Sequence, residues 1–176
     1  SACSWKWNRQ ISVRLDGKHP LGSSHHQKML VIDDAVAYCG GIDVTLDRWD
    51  TREHLDENPD RRRPNGKPYG PWHDLSSRFT GPAAHALGEL CRQRWTRAGG
   101  KDVPRVETVP TPEDSAPHFS CGKVDLAIAR TSPAYQDETA VTEIEHLTID
   151  MINAAQRMVY AESQYFASRK MALEES

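Results

Sequence analysis

Two polar side chains beside one short apolar segment could carry out phosphoryl chemistry. His26 and Lys28 are two residues apart, and the apolar run of residues 29–32 follows directly. On an extended backbone, residues two apart point to the same side of a sheet. A histidine near neutral pH can attack phosphorus or transfer a proton, and a lysine can neutralise the non-bridging oxygens of a phosphate. The spacing therefore predicts a site for a phosphate ester.

Two strands joined by a turn are predicted to position these side chains. Residues 29–32 are typical of a strand buried on both faces, residues 35–38 of a second strand, and the aspartates at 33–34 of the turn between them. Gly40 and Gly41 allow a close backbone approach and a positive φ, so their amides could form an anion-binding concavity. The alternative without chemistry is a buried strand with polar neighbours and an ordinary glycine turn.

This segment resembles the signature of the phospholipase D superfamily. The signature is His-x-Lys, four residues and Asp, then six residues and Gly-Gly or Gly-Ser, with Asn or Asp two places on. The sequence matches it at every position: His26, Lys28, Asp33, Gly40, Gly41 and Asp43. The resemblance implies that His26 is the nucleophile and that Lys28 and Asp43 bind phosphate oxygens beside the two glycines. We expect Asp33 to order the motif rather than touch substrate.

The same resemblance implies a role for one further carboxylate. Residues 72–79 are predicted to form a strand, and Gly81-Pro82 is typical of a helix start. The family has an aspartate before this helix that accepts a hydrogen bond from the nucleophilic imidazole. The resemblance therefore implies that Asp74 orients His26, fixes its tautomer and stabilises its positive charge. The alternative is an exposed aspartate at a strand end.

The remaining periodicity indicates an α/β fold. Alternating apolar residues predict a strand over residues 10–15, and apolar runs predict strands over 124–130 and 158–166. Helical spacing predicts a core-facing stripe after Pro82 and a long helix over residues 138–157; the stripe consists of Ala84, Leu87, Leu90, Cys91 and Trp95. We expect a mixed β-sheet with helices packed on its faces, phospholipase D-like and incomplete.

The long segment of residues 51–71 is rich in proline and carries three consecutive arginines at 61–63. It has no periodicity, so we expect a solvated surface loop. The functional alternative is a loop at the mouth of the site, where clustered arginines contact anionic lipid headgroups.

The resemblance also implies a domain organisation. Residues 1–100 correspond to the C-terminal part of a first half that carries the motif, residues 101–122 to a linker, and residues 123–176 to the start of a second half. The superfamily needs two motifs that face each other, but the sequence contains no second His-x-Lys. Either two copies pair their motifs, or the chain is a fragment of a longer two-motif enzyme, which we favour.

Composition limits the other function classes. The formal net charge of −3 argues against non-specific nucleic-acid binding by the overall field. No apolar run reaches the length of a membrane span, and no signal peptide opens the chain, so we expect a cytoplasmic or peripheral membrane location. The four cysteines form no CxxC pair, which favours free thiols over disulfides and gives no support to a zinc site. We expect no cofactor.

The resemblance implies metal-independent hydrolysis or transfer of a phospholipid phosphodiester through a phosphohistidine. Its partners would be a phospholipid at a membrane surface and a second motif. Two alternatives stay open: a phosphodiesterase or nuclease that uses the same motif, and a catalytically silent domain that binds phosphate. The acidic net charge disfavours the nuclease, and the Arg-Trp-Asp-Thr segment at residues 48–51 resembles eukaryotic-type phospholipase D and its bacterial relatives more than the nuclease branch.

Overall fold

The computed structural model describes residues 10–107 and 119–163. The chain divides into two compact units, Ser1–Leu126 and Ala127–Ser176. The motif lies in the first unit.

The first unit contains a three-stranded antiparallel sheet with the order β1-β2-β3. Its strands are β1 (Lys28–Ile32), β2 (Val36–Gly40) and β3 (Ser76–Thr80). Lys28 at the start of β1 pairs with Gly40 at the end of β2, and Gly40 pairs with Ser76 at the start of β3. The motif lysine and the first motif glycine therefore lie at the same end of the sheet.

The predicted turn between the first two strands is confirmed. Asp33 and Asp34 have φ values of 50° and 53°, and the Ala35 amide donates a hydrogen bond of 3.0 Å to the Ile32 carbonyl. Two central residues with positive φ define a type I′ turn, whose twist matches that of the flanking strands. Aspartate tolerates this conformation better than most residues do.

One helix covers one face of this sheet. The helix α1 (Pro82–Arg97) has proline in its first turn after Gly81, as the sequence predicts. Its stripe packs on the sheet to form a small core in which Ala37, Ala84 and Leu87 are buried. Leu30 and Ile32 point away from this helix and are 50% and 44% exposed. The prediction that β1 is buried on both faces is therefore wrong, because the helix covers only one side.

A buried ion pair joins the hairpin turn to α1. The Asp34 carboxylate accepts two hydrogen bonds from the Arg92 guanidinium, at 2.9 and 2.6 Å. It also accepts one from the Val106 amide at 3.1 Å, so this residue at the start of the predicted linker is held within the first unit. Gly88 of α1 leaves the space for this carboxylate, since a Cβ there would overlap it.

The second unit has two short strands and one helix. These are β4 (Thr131–Ser132), β5 (Val141–Thr142), which pair antiparallel, and α2 (Glu143–Ala154). The Arg130 guanidinium and the Glu143 carboxylate form an ion pair at 2.9 Å beside them. The described residues combine strands and helices, as the predicted α/β class requires, but every strand pairing there is antiparallel, so the expected mixture of parallel and antiparallel pairs is not found in them.

Three predicted strands are absent from the described residues. Residues 10–15, 124–130 and 158–163 form no strand, and the rest of the last prediction, residues 164–166, lies outside the description. Apolar alternation alone does not make a strand, because a strand also needs a neighbour for its backbone hydrogen bonds. No helix in the described part of the chain combines the length and apolar character needed to cross a bilayer.

Candidate active site

The motif lysine is held by charge and by the backbone at the end of the sheet. Its Nζ lies 3.1 Å from Oδ1 of Asp43 and donates a hydrogen bond of 3.1 Å to the His26 carbonyl oxygen. The Lys28 side chain is 14% exposed and the Asp43 side chain 47%. The ammonium is therefore largely enclosed, whereas the carboxylate faces solvent.

His26 is exposed, and both of its sequence neighbours are held in place. Nε2 of His25 lies 3.1 Å from Oδ2 of Asp16, and the Gln27 side-chain oxygen accepts a hydrogen bond of 2.9 Å from Arg94 on α1. These contacts fix the backbone on either side of His26 and leave its imidazole accessible to a substrate.

The carboxylate beside His25 stays ionised. Burial alone would raise the pKa of Asp16, but the hydrogen bond from the Lys18 amide and the nearby His25 and arginines outweigh it and lower that pKa. Asp16 therefore keeps a negative charge beside the segment that carries His26.

The two motif glycines allow the backbone of β3 to approach closely. A Cβ on Gly40 would overlap the backbone at Leu75 and Ser76, and a Cβ on Gly41 would overlap the Asp74 carboxylate. Neither glycine has a left-handed φ. The Gly41 amide donates to the Leu75 carbonyl at 3.3 Å, so it does not contribute to the predicted anion-binding concavity.

Asp74 lies next to this glycine but is not hydrogen-bonded to His26 in the structure. Its carboxylate is exposed and accepts a hydrogen bond of 2.7 Å from the Leu75 amide. β3 begins only at Ser76, so Asp74 is in the extended segment before the strand. Its predicted role in orienting the imidazole stays a prediction.

Asp33 lies at the other end of β1 from Lys28. The five residues of β1 span about 17 Å, and Asp33 is exposed in the hairpin turn. The carboxylate that ties this turn to the helix is the neighbouring Asp34. Sequence reasoning missed that role because its partner, Arg92, lies outside the apolar stripe of α1, although its side chain is only 17% exposed.

A second charged cluster is centred on Asp50. Its carboxylate accepts hydrogen bonds from the Arg61 guanidinium at 3.1 Å, the Trp72 amide at 2.7 Å, the Thr51 amide at 2.8 Å and Nδ1 of His54 at 3.1 Å. Desolvation would raise the pKa of Asp50, but the bonds from Trp72, His54 and Thr51, with the Arg61 charge, lower it to about 2.

The three consecutive arginines contact the protein itself. Arg61 is fully buried and pairs with Asp50. Arg62 donates to two backbone carbonyls of the loop, and Arg63 pairs with Asp47 at 2.7 Å. The loop is therefore folded around a buried ion pair, and the alternative in which the clustered arginines contact lipid headgroups is wrong for Arg61, which is buried.

Two further imidazoles extend the Asp50 cluster. Nε2 of His54 lies 3.3 Å from Nδ1 of His73, and the rings meet edge to face at 5.0 Å. The sequence signal was the spacing of Asp50 and His54, four residues apart in a loop without periodicity, and it is too common to be specific. His73 directly precedes Asp74, so this chain of contacts reaches the residue next to the one that lies against Gly41.

The described residues contain no cluster of three or more His, Cys, Asp or Glu side chains that could hold a metal ion. Cys39, Cys91 and Cys121 are free thiols, as predicted, and Cys3 lies outside the described residues. Burial raises the pKa of Cys91, so this thiol is held in its neutral form.

Comparison with known proteins identifies the family. A family model described as phospholipase D matches residues 9–174. The chain is 29% identical to phospholipase D beta 2 of Arabidopsis thaliana and 28% identical to phospholipase D alpha 1 of Zea mays, over 81% of its length in both cases. A shorter match, over 46% of the chain, is 36% identical to phospholipase D alpha 1 of Arabidopsis thaliana.

The chain spans 22% and 24% of the length of the first two of these relatives. No solved structure matches it significantly. The family model covers nearly the whole chain and includes every position of the His-x-Lys signature. The chain therefore belongs to the phospholipase D family.

Proposed function

We propose that this chain supplies one half of an active site that hydrolyses or transfers the phosphodiester of a phospholipid through a phosphohistidine. The observation that carries the proposal is the juxtaposition of His26 and Lys28. The imidazole is open to solvent, and the ammonium lies 3.1 Å from the His26 carbonyl oxygen. A nucleophile and a cation at one end of a sheet suit a phosphodiester, whose reacting phosphorus carries anionic oxygens.

The reaction proceeds in two displacements. In the first, a nitrogen of His26 forms a bond to phosphorus as the bond to the alcohol oxygen breaks, and an acid from a second motif protonates the leaving alcohol. In the second, that group removes a proton from water or another alcohol, whose oxygen attacks phosphorus and releases His26. Lys28 stabilises the charge that develops on the non-bridging oxygens in both steps.

The second motif must come from outside these 176 residues or from a second copy of them. Residues 1–100 would form the part of the first half that carries the motif, residues 101–122 a connection, and residues 123–176 the start of a second half. The small fraction of the relatives' length that the chain spans, 22% to 24%, supports a source in a longer polypeptide. The substrate would be a phospholipid presented at a membrane surface.

Replacing the nucleophile tests this function. In a longer polypeptide that contains this chain and a second motif, His26→Asn should abolish headgroup release from phosphatidylcholine vesicles, because asparagine cannot form the phosphoenzyme. His85→Asn is the matched control, since His85 is an exposed histidine on α1. Circular dichroism should show unchanged folding for both variants.

Headgroup release that survives His26→Asn would remove this residue from the mechanism. A plasmid-nicking assay run in parallel with the headgroup-release assay would detect the nuclease alternative, which should give nicking without headgroup release. Retained phosphate binding with neither activity would leave the chain as a phosphate-binding domain.

A further inference from the structure

One carboxylate at the candidate site is shared by two cations. Oδ1 of Asp43 lies 3.1 Å from Nζ of Lys28, and Oδ2 lies 3.8 Å from a terminal nitrogen of the Arg48 guanidinium. The signature includes the lysine and the aspartate but not the arginine. The structure therefore adds a second positive charge at the Asp43 carboxylate that the sequence pattern did not identify.

The guanidinium is held in a defined orientation. Its Cζ lies 3.9 Å from the centre of the Trp72 ring, in cation–π geometry. The Trp72 amide is itself fixed by a hydrogen bond of 2.7 Å to the buried carboxylate of Asp50. Arg48 also donates to the Asp47 carbonyl at 3.4 Å, and its Nε is buried without a hydrogen-bond partner in the described residues.

The predicted role of Asp43 as a phosphate ligand conflicts with its charge. An ionised carboxylate repels the anionic oxygens of a phosphodiester at contact distance. Its two oxygens, however, present to Lys28 and Arg48 the same pair of acceptors that two non-bridging phosphate oxygens would present. Asp43 is about half exposed, so its side chain has room to turn toward solvent.

We propose that Arg48 is a second phosphate-binding cation, and that Asp43 occupies the place of the phosphodiester until the substrate displaces it. This inference rests on the proposed function and specifies its phosphate subsite. Asp43 keeps the two cations together in the free protein, where they would otherwise repel each other. The incoming diester exchanges one anion for another, so the net charge of the occupied subsite stays the same.

The position of Arg48 gives it a role that a lysine would not fill. A planar guanidinium can stack on Trp72 and still direct two parallel N–H groups at a phosphate, whereas an ammonium offers a point charge without this geometry. The subsite would therefore combine the point charge of the Lys28 ammonium with two parallel N–H donors of the Arg48 guanidinium.

Binding of dimethyl phosphate, a monoanionic diester, to the 176-residue chain tests the proposal by NMR titration. Arg48→Gln should weaken binding about tenfold, as expected when one charged hydrogen-bond partner is lost. Asp43→Asn should tighten binding several-fold, because it removes the competing negative charge. Arg52→Gln, which removes an exposed positive charge from the same segment, should change the affinity less than about twofold.

The possible outcomes separate this inference from the function on which it rests. If Lys28→Met abolishes binding while Arg48→Gln leaves it unchanged, Arg48 is not part of the subsite but the proposed site stands. If Asp43→Asn weakens binding, Asp43 is a ligand and not a placeholder. If the unsubstituted chain does not bind, or Lys28→Met binds equally well, the phosphate site itself is refuted. Circular dichroism of each variant controls for folding.

Discussion

Two aspartates seven positions apart in the sequence hold arginines in contrasting ways. The Asp50 side chain is 4% exposed and accepts hydrogen bonds from two backbone amides as well as from the Arg61 guanidinium. The Asp43 side chain is 47% exposed, and its partner Arg48 lies 3.8 Å away. The first contact is buried and highly coordinated, whereas the second is open to exchange with water or a ligand.

This difference separates a structural ion pair, Asp50–Arg61, from the pair that we propose is exchanged for a phosphate, Asp43–Arg48. Breaking a buried pair leaves a charge without solvent and is strongly unfavourable, whereas an exposed pair contributes little to folding. The Asp50 cluster therefore holds the loop in place and positions Trp72, on which Arg48 stacks. Asp43 contacts Lys28 and Arg48, and Arg48 is held by Trp72. The Asp43 carboxylate itself is half exposed and can be replaced by a ligand.

The largest effect is expected from removing the buried arginine. Arg61→Ala deletes the partner of Asp50 and leaves the Leu55 and Asp56 carbonyls without the donor that Arg61 supplies. The free energy of unfolding should therefore fall by about 3 kcal/mol. Arg62→Ala, on the exposed neighbour, should change it by less than about 0.5 kcal/mol. Urea denaturation of both variants measures the difference. Equal effects at the two positions would remove the contrast between a buried and a solvated arginine.

The acid dependence of stability should also distinguish the two aspartates. The pKa of Asp50 is lowered from 3.8 to about 2, so the folded state binds its proton less readily than the unfolded state. Its contribution to stability is full above the unfolded value and is lost as the pH falls from about 4 to 2. Asp50→Asn should reduce this loss relative to the unsubstituted chain, and Asp43→Asn should retain it.

Thermal unfolding at several pH values between 5 and 2 measures this slope. Other carboxylates with lowered pKa values, such as Asp16 and Glu143, contribute in every variant, so only the differences between variants are informative. An unchanged slope in Asp50→Asn would mean that the Asp50 hydrogen bonds do not persist in solution.

The parts of the fold and of the site that the sequence predicted correctly are those determined by neighbouring residues. The hairpin and the start of α1 rest on local signals, namely two aspartates between apolar runs and Gly81-Pro82 before a helical stripe. These predictions are confirmed because the residues that determine them are adjacent in the sequence. The signature positions were found in the same way, since their spacing is local.

The contacts that the sequence did not reveal are non-local or lack periodicity. Arg92 pairs with Asp34 across 58 positions, and no property of either residue alone identifies its partner. Arg61 lies in a loop without repeating apolar residues, where burial cannot be inferred from a pattern. The predicted strand over residues 10–15 failed for a related reason: alternation indicates a face but does not supply a pairing strand.

The smallest effect concerns which nitrogen of His54 carries its proton. Nδ1 faces the ionised Asp50 carboxylate at 3.1 Å and Nε2 faces Nδ1 of His73 at 3.3 Å, so the neutral ring should be protonated on Nδ1. Long-range proton–nitrogen NMR spectra should show this tautomer. In Asp50→Asn the preference should weaken, because the charged acceptor is lost, whereas Asp43→Asn should leave it unchanged. An Nε2-protonated His54 in the unsubstituted chain would show that Asp50 does not accept a hydrogen bond from this imidazole. Asp50 would then not be connected through His54 to His73 beside the motif.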